Sequence, residues 1–254
     1  MENVIHTIDA SNVDRYGFFC YKSKPKTPGY RRKREWLEGC LPEGLRLKII
    51  YEGNRSAGFI EYAPGESTWR TVQAADYMVI HCMWVVGSGK GKGYGSRLLE
   101  QVVSEARSLG MFGVAVVSSA STWLAKKGFF LFNGFQVVDQ APPSFELLVK
   151  RFGQGVMPSF PHDWESRLNR IPQGLVVYHS GQCPYLAMFV SSLANGANQM
   201  DIPLQTVELK TSWEARTLSP SAYGVFSVVY NGQLLSYRPI GGKTLRQMLE
   251  KSDK

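Results

Sequence analysis

The residues best equipped for chemistry form one run, Lys90-Gly91-Lys92-Gly93-Tyr94-Gly95-Ser96. Its glycines let main-chain N–H groups approach a ligand closely, and its lysines add positive charge. Such a turn suits an anion, above all a phosphate. The flanks say how the turn is held. Upstream, Tyr77–Val86 reads YMVIHCMWVV, an apolar run that predicts a buried strand. Downstream, Leu98, Leu99, Val102, Val103, Ala106 and Leu109 share one face of a helix, and Gly110 predicts its end. A strand, a glycine turn and a helix N-terminus make a cradle in which the helix dipole favours a pyrophosphate. A Walker A loop would need Gly-Lys-Ser/Thr after four spacer residues, which this run lacks. A dinucleotide fingerprint would need Gly-x-Gly-x-x-Gly, and Gly91, Gly93 and Gly95 are spaced differently.

The elements around this cradle follow from the pattern of the remaining chain. Leu45–Tyr51 alternates, Glu52-Gly53-Asn54-Arg55 reads as a hairpin turn, and Ala57–Tyr62 is the returning strand. Before them, residues 1–20 are weakly patterned, with a helix cap at Asp9–Asn12, and Tyr30–Leu41 predicts a helix. After the cradle, Gly113–Ser118 lacks polar alternation and predicts a central strand parallel to Tyr77–Val86. A helix over Ser119–Phe132, the turn Asn133-Gly134-Phe135 and strands at GFQVVD and Phe145–Phe152 complete the first part. Gly153, Gly155, Pro158 and Pro161 mark a boundary. The second part reads as β-α-β-α-β-β-α. Its strands lie at Leu175–Tyr178, Ile202–Leu209, Val225–Tyr230 and Gln233–Tyr237, and its last helix covers Thr244–Lys251.

The bulk numbers bound the class. A chain of 254 residues, 44% hydrophobic and 20% charged, is long enough for two globular domains of α/β (α+β) type. No apolar run approaches the ~20 residues of a membrane span, and MENVIHTIDA has no basic segment leading into an apolar core. Cys20, Cys40, Cys82 and Cys183 are too scattered for a zinc spacing or a disulfide framework, so no metal is expected and a reducing cytoplasm is the expected compartment. The net charge of +8 is concentrated partly in Lys22–Trp36, KSKPKTPGYRRKREW. That run lacks the interleaved aromatics of a single-strand platform. It reads as a solvated loop and helix face that assists a polyanionic cofactor, rather than as a nucleic-acid site.

Lys90-Gly91-Lys92-Gly93-Tyr94-Gly95 resembles the Gln/Arg-x-x-Gly-x-Gly/Ala signature of the GNAT acetyltransferases, with Lys90 in the first place. The element order and the Asn-Gly-Phe ending are similar to that family too, over about three-fifths of the chain. The resemblance implies an acyl-CoA N-acyltransferase fold over residues 1–152 and an N-acetyltransferase that uses acetyl-coenzyme A on an amine. It assigns Lys90–Ser96 to the pyrophosphate, and the main chain of Met83 and Val85 to the pantetheine arm and acetyl carbonyl. The amine attacks directly, so a base must take its proton. His81 is the first candidate, on the adjoining strand, with an ordinary pKa of ~6.5 and a side chain alternating with Met83 and Val85. Glu61, between Ile60 and Tyr62, is the second. Their alternatives are a hydrogen-bonded core histidine and the polar face of a half-buried strand. The family's usual tyrosine acid, four residues before the glycine of the Gly-Phe ending, falls on Phe130, which has no proton to give. Ser118, Ser119, Ser121 or a water stand nearby as substitutes.

After a linker at 153–172, residues 173–254 resemble thioredoxin and glutaredoxin, with Cys183-Pro184-Tyr185 at the start of the first helix. Together the halves look like the YoaP-like group of GNAT proteins. Cys183 takes the place of the first redox cysteine, where a helix N-terminus lowers a thiol pKa. Leu186 replaces the second, and Gly224-Val225-Phe226 lacks the usual proline. The competing readings are thus a thiol or partner-binding protein whose GNAT half only binds coenzyme A, and a packing domain in which Cys183 is left over.

Overall fold

The computed structural model describes residues 3–120 and 123–252. The chain forms two compact units. The first comprises the residues up to Ser23, Leu37–Thr68 and Val72–Phe160; the second comprises Lys24–Trp36, Trp69–Thr71 and the chain from Pro161.

The first unit opens with β1 (Asn3–Ile8) and the single turn α1 (Val13–Tyr16). The early residues are too weakly patterned to predict β1; it forms the edge of the sheet because it pairs in antiparallel register along β2 (Arg46–Glu52), with Ile5 opposite Ile50. Between them lies α2 (Pro28–Cys40), whose residues to Trp36 belong to the second unit. β3 (Arg55–Pro64) returns from β2 through the expected hairpin, where Gly53 takes φ +59°. Then follow β4 (Tyr77–Val85), α3 (Tyr94–Ser108), β5 (Gly113–Ser119), α4 (Lys127–Phe132), β6 (Gln136–Ala141) and β7 (Phe145–Arg151). The sheet runs β1-β2-β3-β4-β5-β7-β6. Within it β4 and β5 are parallel, joined by the α3 crossover, and the other neighbours are antiparallel. β5 is central and buried along its whole length, as an unbroken apolar run requires.

α3 forms because Leu98, Leu99, Val102 and Ala106 repeat on one face, and all four are buried against Ile60, Tyr62, Met78, Ile80 and Val116. Each such leucine contributes about 2 kcal/mol by leaving water. Leu109, expected on this face, caps the helix end instead and is 60% exposed. A polar contact fixes the helix on the sheet. The Tyr62 hydroxyl donates to Glu105 Oε2 at 2.7 Å, and Lys48 Nζ pairs with the same carboxylate at 2.9 Å. Burial, then the Glu105 carboxylate, raises the Tyr62 pKa and keeps its proton in place. The helix predicted from Ser119 is shorter: Lys127–Phe132 alone is helical, with Lys126 as its cap, and residues 121–122 lie outside the described residues.

The second unit contains α5 (Trp164–Asn169), β8 (Leu175–Ser180), α6 (Leu186–Asn198), β9 (Leu204–Leu209), α7 (Ser212–Leu218), β10 (Phe226–Tyr230), β11 (Gln233–Ser236) and α8 (Gly242–Ser252). Its sheet is ordered β11-β10-β8-β9; β8 and β9 are parallel and β10 is antiparallel to both its neighbours. Residues 153–172, read as a linker from their glycines and prolines, hold fully buried Phe160 and the helix α5. The basic run is not wholly solvated. Lys33 is buried with its ammonium 4.0 Å from the centre of the Trp36 ring.

Burial holds the His179 imidazole below its ordinary 6.5; Glu208 opposes that shift and Arg32 adds to it. The unfolded chain therefore binds a proton at a higher pH than the folded chain. Stability present above pH ~6.5 is lost as pH falls towards the folded pKa. The unfolding temperature of the second unit is expected to drop between pH 7.5 and 5.5, and His179→Gln to remove part of that drop. An unchanged pH slope in the variant would clear His179.

Candidate active site

β4 lies between two partners and parts from one of them. Its ladder to β5 runs from Tyr77–Gly113 to Ile80–Val116 and ends there. Both strands continue, β4 along β3 to Val85 and β5 along β7 to Ser119. The sheet therefore splits at His81, before the glycine turn. The antiparallel phase fixes which groups face it. Val86 N–H donates to Ala57 C=O at 2.9 Å, so alternate residues Trp84 and Cys82 also bond towards β3. Met83 and Val85 then direct their N–H and C=O groups to the other edge of β4, where β5 has left.

The turn follows at once. Gly87–Gly89 makes one 3₁₀ turn, and Gly91 and Gly93 adopt φ +77° and +75°, the left-handed region that glycine enters without cost. A Cβ at either position would meet no atom within 4 Å, so both open to solvent. Gly93 is the N-cap of α3. The helical ladder starts with Arg97 N–H donating to Gly93 C=O at 3.0 Å, so the N–H groups of Tyr94, Gly95 and Ser96 precede it, as at every helix start. Gly89 is buried, because a Cβ there would stand 3.0 Å from both Tyr94 and Val85 side chains. Tyr94 is thus an inward anchor of the turn, not a ligand-facing side chain. Lys90, Lys92 and Arg97 are exposed around the N-terminus. Lys92 Nζ pairs with Glu52 at 2.6 Å; this hydrogen bond raises the lysine pKa and lowers the glutamate's. Free amides, open space above two glycines and three cations fit a polyanion.

His81 and Glu61 come together. Opposite Glu61 stands Cys82, and opposite Tyr62 stands Ile80, so His81 is the extra residue of a β-bulge. The bulge resets the alternation that would have put His81 beside Met83 and Val85. Ile80, Met83 and Val85 pack on the α3 side, while His81 belongs to the opposite face. His81 Nδ1 lies 3.7 Å from Glu61 Oε1, and Nε2 shares a 3.0 Å hydrogen bond with Thr68 Oγ1. All three side chains are buried. Thr68 carried no sequence signal, because it sits in an unpatterned stretch.

Phe130 is fully buried, edge-on to Phe129 and Phe135. Phe129 is nearer the turn: a Cβ on Gly95 would lie 3.1 Å from its ring and 3.8 Å from Met83 Cε. Of the possible acids, Ser118 donates to Ala125 C=O at 3.0 Å and Ser119 shares a 3.1 Å bond with Ser144. Ser121 lies outside the described residues. Among the described residues no group of three His, Cys, Asp or Glu side chains could hold a metal ion. Nor, among the described residues, is any helix long and apolar enough to cross a membrane.

A model of the Acetyltransferase (GNAT) family matches residues 13–128. A Bacillus subtilis (strain 168) protein, described as uncharacterized N-acetyltransferase YoaP, is 30% identical over 235 residues, which span 91% of this chain and 92% of that one. The chain belongs to the GNAT acetyltransferase family. It is an N-acetyltransferase, and acetyl-coenzyme A is its acyl donor. Among solved structures, a GNAT-family protein from Desulfovibrio desulfuricans is 18% identical with a TM-score of 0.44, covering 59% of this chain and 99% of that one. A Brucella melitensis GNAT acetyltransferase, solved with acetyl-CoA, is 15% identical with a TM-score of 0.41, covering 63% and 94%.

Proposed function

We propose that the split between β4 and β5 and the start of α3 together hold acetyl-coenzyme A, and that an amine attacks its acetyl carbonyl there directly. The observation that carries this reading is continuity. The strand whose edge groups are released at Met83 and Val85 runs straight into the glycine-opened helix start. The amides of Tyr94, Gly95 and Ser96, with the α3 dipole, take the pyrophosphate, while those of Lys90 and Lys92 already donate to Gly87 and Gly89 C=O and shape the turn. The edge groups of Met83 and Val85 take the pantetheine arm, and an N–H there stabilises the oxyanion that forms as nitrogen attacks. Lys92 joins the phosphate only by leaving Glu52, so its contribution is a difference between two ion pairs.

His81, with Glu61 beside it, receives the proton that the attacking nitrogen must lose, and Thr68 fixes the imidazole by its hydroxyl. The Glu61 carboxylate favours the imidazolium so formed. The carbon–sulfur bond then breaks and coenzyme A departs as thiolate. Phe130 offers no acid, and the bonds of Ser118 and Ser119 hold their hydroxyls to other oxygens, so the thiolate leaves without one of these donors. A cleft of about 550 Å³ at the same end of the sheet, lined by Ala120, Gln140, Pro142, Pro143, Phe145 and Glu146, is the place we assign to the acceptor. A panel of amines, read by release of free thiol from acetyl-coenzyme A, tests this. Thiol release that stays at the hydrolysis background with every amine would count against it.

The second unit we read as thioredoxin-like and non-redox. The parallel pair β8–β9 with antiparallel β10 and β11 supports the first half of this, with Cys183 three residues before α6. Leu186 and Gly224-Val225 in place of cysteine and proline support the second. Cys183→Ala should keep acetyl transfer within about twofold of the parent. Its loss would instead favour a thiol protein whose GNAT half only binds coenzyme A.

A further inference from the structure

Trp69, Arg70 and Thr71 form a three-residue segment inside the second unit, while Thr68 and Val72 on either side belong to the first. All three side chains are almost completely buried. Arg70 Nη1 donates to Tyr223 C=O at 2.8 Å and to Gln182 Oε1 at 3.4 Å, and its guanidinium lies 4.8 Å from the centre of the Tyr223 ring. The Thr71 hydroxyl lies 3.0 Å from Ser221 C=O and 3.1 Å from Ala215 C=O, and can donate to one at a time. Trp69 stands edge-on to Trp36, 5.2 Å between ring centres. Gly224, at φ +81°, brings its Cα so close to Trp69 that a Cβ there would lie 2.1 Å from the Trp69 oxygen.

These partners are 112 to 153 residues away in sequence, and most are main-chain carbonyls, one from α7 and two from the loop that follows it. The loop is stiffened before it meets the segment: Ser219 Oγ donates to Ser221 C=O at 3.1 Å, and the Ser221 and Ser227 hydroxyls share a 2.9 Å bond. An array of aimed carbonyls beside an aromatic face and a glycine with no room for a side chain is the chemistry of a peptide-binding groove. It matches a planar guanidinium, which offers several donors in one plane and stacks on a ring, better than an ammonium. A guanidinium taken out of water is tolerated only when such partners meet it.

We propose that the C-terminal part of α7 and the loop after it, Ala215–Gly224, with Gln182, are a binding site for a bent Trp-Arg-Thr peptide, and that residues 69–71 of this chain are its resident ligand. The site is then closed to outside peptides while the segment is in place. This reading does not depend on acetyl transfer, and coenzyme A binding need not change when it fails.

The test uses the full chain with Arg70→Ala and Thr71→Ala together, and a fluorescein-labelled peptide of residues 66–74, Glu-Ser-Thr-Trp-Arg-Thr-Val-Gln-Ala. By anisotropy, the variant should bind this peptide at least tenfold more tightly than the parent does. The same peptide with alanine for its arginine should bind at least tenfold more weakly. Equal binding by parent and variant, or by the two peptides, overturns the proposal. Should circular dichroism show that the double variant is unfolded, Arg70→Lys decides. That side chain keeps the charge and loses the fork, and amide hydrogen exchange over 219–225 should speed up at least tenfold. Unchanged exchange overturns the proposal.

Discussion

Gly93→Glu is expected to weaken acetyl-coenzyme A binding by at least a hundredfold in a chain that still folds. Two effects act together. Gly93 holds φ +75° at the N-cap of α3, and a side chain there strains the backbone by roughly 1–2 kcal/mol. The added carboxylate would project into the open space above the turn, since a Cβ meets nothing within 4 Å. Two like charges about 4 Å apart near a protein surface repel by about 4 kcal/mol, and about 1.4 kcal/mol is a tenfold change in affinity. Repulsion therefore exceeds strain and falls on the ligand, while the strain falls on the fold. Gly93→Ala separates them: it should lower the unfolding temperature slightly and leave most of the affinity. Calorimetric titration with coenzyme A, beside a thermal unfolding scan, checks both. A folded Gly93→Glu chain with parental affinity would remove the phosphate from this turn.

His81→Ala is expected to lower kcat by about a hundredfold or more, within the range for loss of a general base, with the KM for acetyl-coenzyme A nearly unchanged. The split that receives the pantetheine arm uses main chain, which the substitution leaves in place, whereas the proton acceptor disappears. Because His81 is buried, some loss of stability accompanies the change, so the pH–rate profile is the deciding readout. The parent should lose activity on the acid side as His81 takes up a proton, and that limb should vanish in the variant. Glu61→Gln should shift the same limb to lower pH, since a carboxylate beside the ring favours the imidazolium. An acid limb that persists in His81→Ala would return both residues to a purely structural role.

The reason the cradle could be read from the chain is that its chemistry is local. Glycines at 91 and 93 must be glycines for backbone reasons, and the apolar runs on either side reach their structure with little help from afar. The central place of β5 was legible for the same reason: an unbroken GVAVVS has no side that tolerates water. The bulge at His81 left no mark in composition, because one extra residue in a ladder depends on the register of β3. It turned a histidine assigned by alternation to one face towards the other, where Glu61 and Thr68 were waiting. β1 and the burial of Arg70 escaped notice because each depends on partners remote in sequence.

Residues 24–36 and 69–71 emerge early in synthesis, yet they are packed with chain that begins at Pro161. A ribosome adds about 5–20 residues each second, so these two tracts wait for several seconds before their partners exist. During that interval Trp36 and Trp69 are uncovered. The nascent enzyme therefore matures in an interleaved order, not one half after the other, and a gene cut at the apparent boundary would leave both tryptophans permanently without cover.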